Sequence, residues 1–264
     1  MITIKDRKYT SGYTHDGKFH SDEVATTALL QILDPEFPVT RGHYPPAGND
    51  EVLVYDIGGG PYDHHFAVKE RRPNMIEYSS VGLVWRDICD QFYLSPEQQN
   101  QFDYCIVQPI DLSDNTGMPN PFSALMGSMN LNWNEDSAFA DKHFFAAVNL
   151  CKTLFLNWFI RARAEAEAVD FAKTIAVNSP KGIAICEKYV PVESFPEDVK
   201  LIISPSQRGG WQALTRKGNG ILFPENWRGS RNLPEGVTFC HPGGFIACFD
   251  TEKNALQYCQ KLIA

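Results

Sequence analysis

The run EVLVYDI at 51–57 is followed at once by Gly58, Gly59, Gly60 and Pro61, and no other feature of the chain limits its fold as tightly. Branched and aromatic residues in close succession favour a buried, pleated backbone, and three glycines before a proline end it. The segment predicts a short buried strand opening into a tight loop, with Asp56 at its C-terminal end. Helical patterns lie on either side. From Ser21, SDEVATTALLQIL places Val24, Ala28, Leu29 and Ile32 on one face behind a Ser N-cap and two first-turn acids, so His15 and His20 fall in the loop just before a helix. Ser79 and Ser80 precede a second helix, VGLVWRDICDQF. Ser95 and Pro96 open a third, PEQQNQFDYCIV, which Pro109 is expected to stop, leaving Asp111 and Asp114 in the following loop.

Alternating helix and strand predict an α/β domain with a parallel sheet over residues 1–120, its polar residues gathered at strand ends and loops. Residues 121–180 read as a helical connector, marked by Phe139, Phe144, Val148, Cys151, Phe155, Trp158 and Phe159 and ending in the Ala-rich RARAEAEAVDFAK. After Asn178, Ser179 and Pro180 the pattern changes to short strands, GIAIC, VKLIIS, GGWQALTR, VTFC and GGFIACF. A helix from about Thr251 closes this smaller α+β domain, 181–264.

Composition narrows the chemistry. A chain of 264 residues, 43% hydrophobic, can bury one large core or two smaller ones. Its net charge of −8 gives no global positive field, so a phosphate substrate needs metal ions or a local basic patch. The seven cysteines include no CxxC pair and form no compact disulfide framework. With no apolar leader at MITIKDRKYT and no run near the roughly 18 apolar residues of a membrane span, the expectation is a cytoplasmic protein with no membrane partner.

Three segments carry metal-binding chemistry. THDGKFHSDE crowds His15, Asp16, His20 and Asp22 beside a helix start, and imidazoles with carboxylates are the side chains that hold divalent cations. YDIGGGPYDHHF adds Asp56, Asp63, His64 and His65. Adjacent imidazoles diverge, so one of this pair can bind metal while the other reaches an anionic substrate, with Asp63 orienting an imidazole from behind. IDLSDN offers Asp111 or Asp114 as a further carboxylate. Separated loops rich in N and O donors favour two ions, and a mixed His and Asp set without thiolate suits manganese, less well magnesium or zinc.

These segments, with SSVGLVW, LNWN at 131–134, WRG at 227–229 and TFCHPGGFIA at 238–247, resemble the Myg exonuclease family, which in turn is similar to the DHH phosphoesterases. The resemblance runs from residue 14 to 247 in the family's order. It implies a DHH-phosphoesterase-like first domain, with His15, His20 and Asp22 as the first ligand loop and Asp56 as a shared or bridging carboxylate. It further implies His64 as a ligand, His65 as the phosphate contact, and Asp111 or Asp114 as the last metal carboxylate. Asp16 is assigned to catalysis alongside His65. Two departures bear on metal preference and substrate range: His20 stands where DHH enzymes usually carry a second Asp, and Asn132 where many Myg-type sequences carry Pro.

HPGGF is similar to the Gly-rich segment with which DHH enzymes hold substrate in a second lobe. Gly243 and Gly244 would then point N–H groups at an anion and His241 would add a donor, whereas the residues by themselves read as a plain turn between two strands; Arg228 belongs to a locally basic region with Arg208, Arg216, Lys217 and Arg231. Trp211, Trp227 and Phe245 are either base-stacking or core residues. The expected activity is metal-dependent hydrolysis of phosphodiester bonds in single-stranded RNA or short oligonucleotides. The alternatives are a hydrolase of a small phosphorylated metabolite or pyrophosphate, and a metal-stabilised binding protein without turnover.

Overall fold

The buried strand predicted from EVLVYDI forms as Val52–Val54 (β5), one edge of a three-stranded parallel sheet. A computed structural model describes residues 1–66, 69–176 and 182–264. An antiparallel hairpin, Ile2–Ile4 (β1) and Arg7–Tyr9 (β2), comes first; then Ser11–Thr14 (β3), helix Ser21–Leu33 (α1) and Val39–Arg41 (β4). The sheet order is β4-β3-β5, with β3 parallel to both neighbours. Because the chain leaves β3 for one side and later returns to the other, a crevice opens outside the C-terminal ends of the strands, where open α/β sheets bind ligands.

Helices Ser80–Ile88 (α2), Pro96–Phe102 (α3), Gln108–Thr116 (α4) and Pro121–Ser128 (α5) follow, and the long helix Ala140–Ala176 (α6) ends the series. Three expectations need correction here. His20, not Ser21, is the N-cap of α1, and Glu23 accepts the His20 N–H at 2.8 Å. Pro109 does not stop the third helix. A π-helical turn, Asp103–Val107, lets Gln108 N–H reach back to Asp103, and this shift of the hydrogen-bond register accommodates Pro109 in the first turn of α4. Asp111 and Asp114 therefore sit on a helix, not in a loop.

The stretch Ser137–Ile175 is long and apolar enough, by length and composition, to cross a membrane, with a mean hydropathy of 1.2. No such stretch was expected, because the apolar residues here are interrupted by polar ones and form no unbroken run. One face of this helix is core: Phe144, Val148, Cys151, Phe155 and Phe159 are buried with Trp85 and Phe102.

The chain divides into two compact units, Met1–Ala162 and Arg163–Ala264, and the division falls inside α6. The helical stretch expected as a connector is thus shared. Residues up to Phe159 pack in the first core, whereas Ala168, Phe171, Ala172 and Ile175 pack with Ala184, Val190 and Ile202 of the second unit. That second unit holds a five-stranded sheet of Ile183–Ile185 (β6), Leu201–Pro205 (β7), Trp211–Thr215 (β8), Val237–Cys240 (β9) and Ile246–Phe249 (β10), in the order β6-β7-β8-β10-β9. Only β6 and β7 pair in parallel. Helix Glu252–Leu262 (α7), capped by Thr251, buries Ala255 and Cys259 in the same core. The break expected at Asn178–Pro180 lies outside the described residues.

Candidate metal centre

Elements of the first unit deliver their polar residues to one place. His15 directly follows β3, and Asp56 lies two residues past β5. Asp56 adopts φ +58, a left-handed conformation that costs an L-residue about 1–2 kcal/mol and that Asp tolerates better than most. Its N–H donates to Tyr62 O at 3.0 Å, closing the glycine loop so that Asp63, His64 and His65 return beside it. Asp22 and Glu23, in the first turn of α1, are both fully buried. Asp114 and Asn115 come from the last turn of α4.

Asp56 turns one oxygen to each side. Oδ2 is 3.2 Å from His15 Nε2, which is also 3.2 Å from Glu23 Oε1. Oδ1 is 3.0 Å from His64 Nε2, which faces Asp114 Oδ2 at 3.3 Å and Asp22 Oδ2 at 3.7 Å. His20, more exposed, lies 3.7 Å from Asp114. Three groups of donors lie close enough to share an ion: His15, Glu23 and Asp56; Asp56, His64 and His65; and His20, Asp22 and Asp114. For comparison, ligand atoms at adjacent corners of an octahedral ion with bonds near 2.1 Å stand about 3.0 Å apart.

The tautomers are set from outside the cluster. Asn115 Nδ2 donates to the carbonyls of Glu77, at 3.2 Å, and Asp111, at 3.0 Å, so its Oδ1 must face His64 Nδ1, 3.2 Å away. His64 therefore donates from Nδ1 and presents a bare Nε2. His15 does the same, because its Nδ1 lies 2.8 Å from the Asp16 carbonyl, an obligate acceptor. A bare Nε2 opposite a carboxylate oxygen is a repulsive arrangement unless a cation lies between them. Without metal that cation is a proton. Hydrogen bonding to Asp56 and then Glu23 pushes His15 up to about 11 against the effect of burial. Burial would lower His64, but Asp56, Asp22 and Asp114 outweigh it and raise it to about 9. Burial, then the neighbouring Asp22, pushes Asp114 up to about 8, and burial also raises Asp22 and Glu23. Burial acts against ionising Asp56 too, yet the two imidazoles hold it down at about 2.

The donor set fits divalent ions on a second count. With both imidazoles neutral, as metal ligation requires, the buried side-chain oxygens without a hydrogen-bond partner among the described residues are Thr14 Oγ1, Asp22 Oδ1, Glu23 Oε2 and Asp56 Oδ1. Three belong to this cluster and the fourth precedes His15. Buried acceptors left unpaired cost about 1–3 kcal/mol each, and a metal ion would satisfy them. Supporting contacts hold the ligand loops. Ser80 donates N–H and Oγ–H to Asp22, at 3.2 and 2.8 Å. Buried Arg41 donates to the carbonyls of His15 and Gly17, at 3.1 and 3.0 Å, with its guanidinium over Phe144. The exposed His65 leans on Asp63, whose Oδ1 is 2.7 Å from its Nδ1. The imidazole that Asp63 orients is therefore His65, and Asn115 orients His64.

Other residues singled out in the sequence lie elsewhere. Asp111 is buried against the start of α2, accepting Ser79 N–H, Ser79 Oγ–H and Gly82 N–H, and it pairs with the buried Arg72. Burial raises it to about 6, although Arg72 and Ser79 act the other way. Of the two carboxylates left open in IDLSDN, Asp114 joins the cluster and Asp111 caps a helix. Asp16 keeps its carbonyl on His15, but its half-exposed side chain faces His43 at 3.8 Å. In the second unit, Gly243 N–H donates to His241 Nδ1 at 2.9 Å and Gly244 N–H to His241 O at 2.8 Å. Both amides are consumed inside the turn, so of the two readings of this segment the plain turn between two strands is the one that forms. Gly244, at φ +70, is required because Arg228 Nε, bonded to Phe223 O, would stand 2.6 Å from a Cβ. Arg216 is taken up by the carbonyls of Val192, Phe195 and Pro196. Trp227 is core, and Phe245 is exposed beside His241.

The family model MYG1_exonuc, described as Uncharacterised protein family (UPF0160), matches residues 13–263. The chain is similar to the MYG1 exonuclease of Mus musculus, 26% identical over 322 residues that cover 95% of this chain and 84% of the mouse protein. It is also similar to the MYG1 protein of Chlamydia trachomatis, 24% identical over 267 residues, 91% of this chain and 92% of that protein. A third relative, the MYG1 protein of Dictyostelium discoideum, is 24% identical over 308 residues, 92% of this chain and 93% of its own length. No solved structure gives a significant match.

Proposed function

The chain belongs to the MYG1 exonuclease family, and from that membership and the imidazole–carboxylate centre we propose a divalent-metal-dependent phosphoesterase of exonuclease type. Its substrates would be single-stranded RNA or short oligonucleotides, and its first unit a DHH-phosphoesterase-like catalytic domain built on β4-β3-β5 and the Asp63-His64-His65 motif. The observation that carries the reading is Asp56, with an imidazole Nε2 at 3.2 Å from one oxygen and another at 3.0 Å from the other. A carboxylate so placed can join two ions.

His15, Glu23 and Asp56 would hold one ion, and Asp56, His64, Asp22 and Asp114 the second, with His20 at the rim. Two divalent ions there, manganese suiting this donor set best, would supply charge neutralisation and an acidified water for in-line displacement at phosphorus. The chain's own part is orientation and proton handling. Asn115 and the Asp16 carbonyl keep both Nε2 atoms free of protons when the centre is loaded. His65, exposed and held at Nδ1 by Asp63, has Nε2 left over and would serve as a proton carrier for the departing oxygen. In the second unit Arg208, Lys217 and Arg231 are exposed cations suited to a polyanion.

The test is incubation of the manganese-loaded full chain with end-labelled single-stranded RNA, single-stranded DNA, dinucleotides and pyrophosphate. Progressive shortening of oligonucleotides is expected, and His65→Ala should slow it roughly 10²-fold or more with metal content intact. Turnover of pyrophosphate alone would make this a small-metabolite hydrolase. No turnover with both ions retained would leave a metal-stabilised binding protein.

A further inference from the structure

A cavity of about 270 Å³ lies against the centre, and His64 is part of its wall. Its charged residues are mostly neutralised in place. Asp63 is bonded to His65 and to Gly59 N–H, and Glu70 pairs with Arg86 at 2.7 Å, which also pairs with Asp87. Lys69 is different. Its Nζ donates to Asn115 Oδ1 at 2.5 Å, a neutral oxygen, and among the described residues no carboxylate pairs with it. A lysine with no carboxylate partner among the described residues, inside a chain of net charge −8 and joined through Asn115 to His64, is a built complement to an anion. Asn115 links the two, since the same oxygen receives His64 Nδ1–H and Lys69.

The opposite character is present in the same cavity. Phe66 is 47% exposed and, among the described residues, stacks on no other ring, while Pro61, Tyr78 and Leu83 continue the apolar wall. The volume lies below the roughly 300–1,000 Å³ of sites for drug-sized ligands, so it has room for one small unit rather than a length of strand.

We infer that this cavity seats the terminal nucleotide of the substrate, with its phosphate on the Lys69 ammonium and its base against Phe66. The inference rests on the phosphoesterase reading and adds to it a binding residue and a size limit. It accounts for end-directed action, since a single unit fits beside His64.

Calorimetric titration of the manganese-loaded full chain with adenosine monophosphate, inorganic phosphate and adenosine tests it without relying on turnover. Wild-type protein should bind adenosine monophosphate more tightly than either fragment. Lys69→Met should weaken adenosine monophosphate and phosphate by roughly tenfold or more, with metal content unchanged, and Lys69→Arg should restore most of the loss. Phe66→Ala should weaken adenosine monophosphate by roughly fivefold or more and leave phosphate unaffected. Unchanged binding in Lys69→Met, or no binding by wild-type protein, would overturn the inference. So would loss of metal in Lys69→Met, which would make Lys69 only a support for Asn115 and His64. Wild-type cleavage of a dinucleotide, measured in parallel, reports separately on the phosphoesterase reading.

Discussion

Metal uptake by this centre should be steeply dependent on pH, in a direction set by the groups that surround Asp56. In the metal-free protein His15 is raised to about 11, His64 to about 9 and Asp114 to about 8, so at pH 7 each carries a proton. Ligation through both Nε2 atoms and through Asp114 must expel these protons. Each one displaced changes the apparent association constant about tenfold per pH unit below its pKa. With at least two expelled, manganese affinity should rise by about 100-fold or more between pH 6 and pH 7. Calorimetry in two buffers of different ionisation enthalpy counts the protons directly. Release near zero, or an affinity flat from pH 6 to 8, would mean that the imidazoles do not bind metal through Nε2. Stability should follow the same linkage. The stability that His64 contributes is complete below its ordinary value of 6.5 and is lost as pH rises through about 9. Asp114 contributes fully below 3.8 and loses its contribution as pH rises through about 8. Asp56, held at about 2, loses its contribution only in strong acid. The melting temperature of metal-free protein should therefore fall from pH 6 to 9, and loading with manganese should abolish most of that fall.

Asn115→Ala removes the acceptor that fixes the His64 tautomer, and metal affinity measured by competition with a chelator should drop about 10- to 100-fold; an unchanged affinity would remove Asn115 from this role. Asp111→Ala strips Arg72, Ser79 and Gly82 of a shared buried partner, so thermal unfolding should show a loss of about 3–5 kcal/mol while the folded protein keeps its metal. Loss of metal without loss of stability would instead make Asp111 a ligand.

How far the sequence leads depends on how local each feature is. His15, His20, Asp22, Asp56 and His64 lie in two short segments beside a strand end and a helix start; that placement marked them as candidate donors, and the family resemblance joined them into one set. Glu23 was hidden by a second role: beside Asp22 it reads as one of two acids favoured by the first turn of a helix, and Glu23 does accept the His20 N–H there while its other oxygen stays unpaired. Asn115 and the choice between Asp111 and Asp114 depended on the path through Pro109. A stop there makes 110–115 a loop, in which either carboxylate is equivalent. The π turn at Asp103–Val107 instead carries the chain on as α4, with Asp111 and Asn115 four residues apart on one face and Asp114 turned toward His64. No residue pattern announces a π turn, because it answers to packing around Arg72, Asp103 and Gln108. In the second unit the strands were legible from their β-branched runs. The HPGGF segment read as a plain turn or as an anion-facing loop, because glycine spacing does not say which acceptors its N–H groups will find; the turn is what forms.

Elemental analysis of the full chain, stripped with chelator and dialysed against manganese, asks most directly whether Asp56 joins two ions. Two manganese per chain are expected in the wild-type protein and one or fewer in Asp56→Asn, with hydrolysis of single-stranded RNA rising and falling with the metal. A single tightly held zinc with no further uptake, or hydrolysis undiminished in Asp56→Asn, would contradict a binuclear hydrolytic centre.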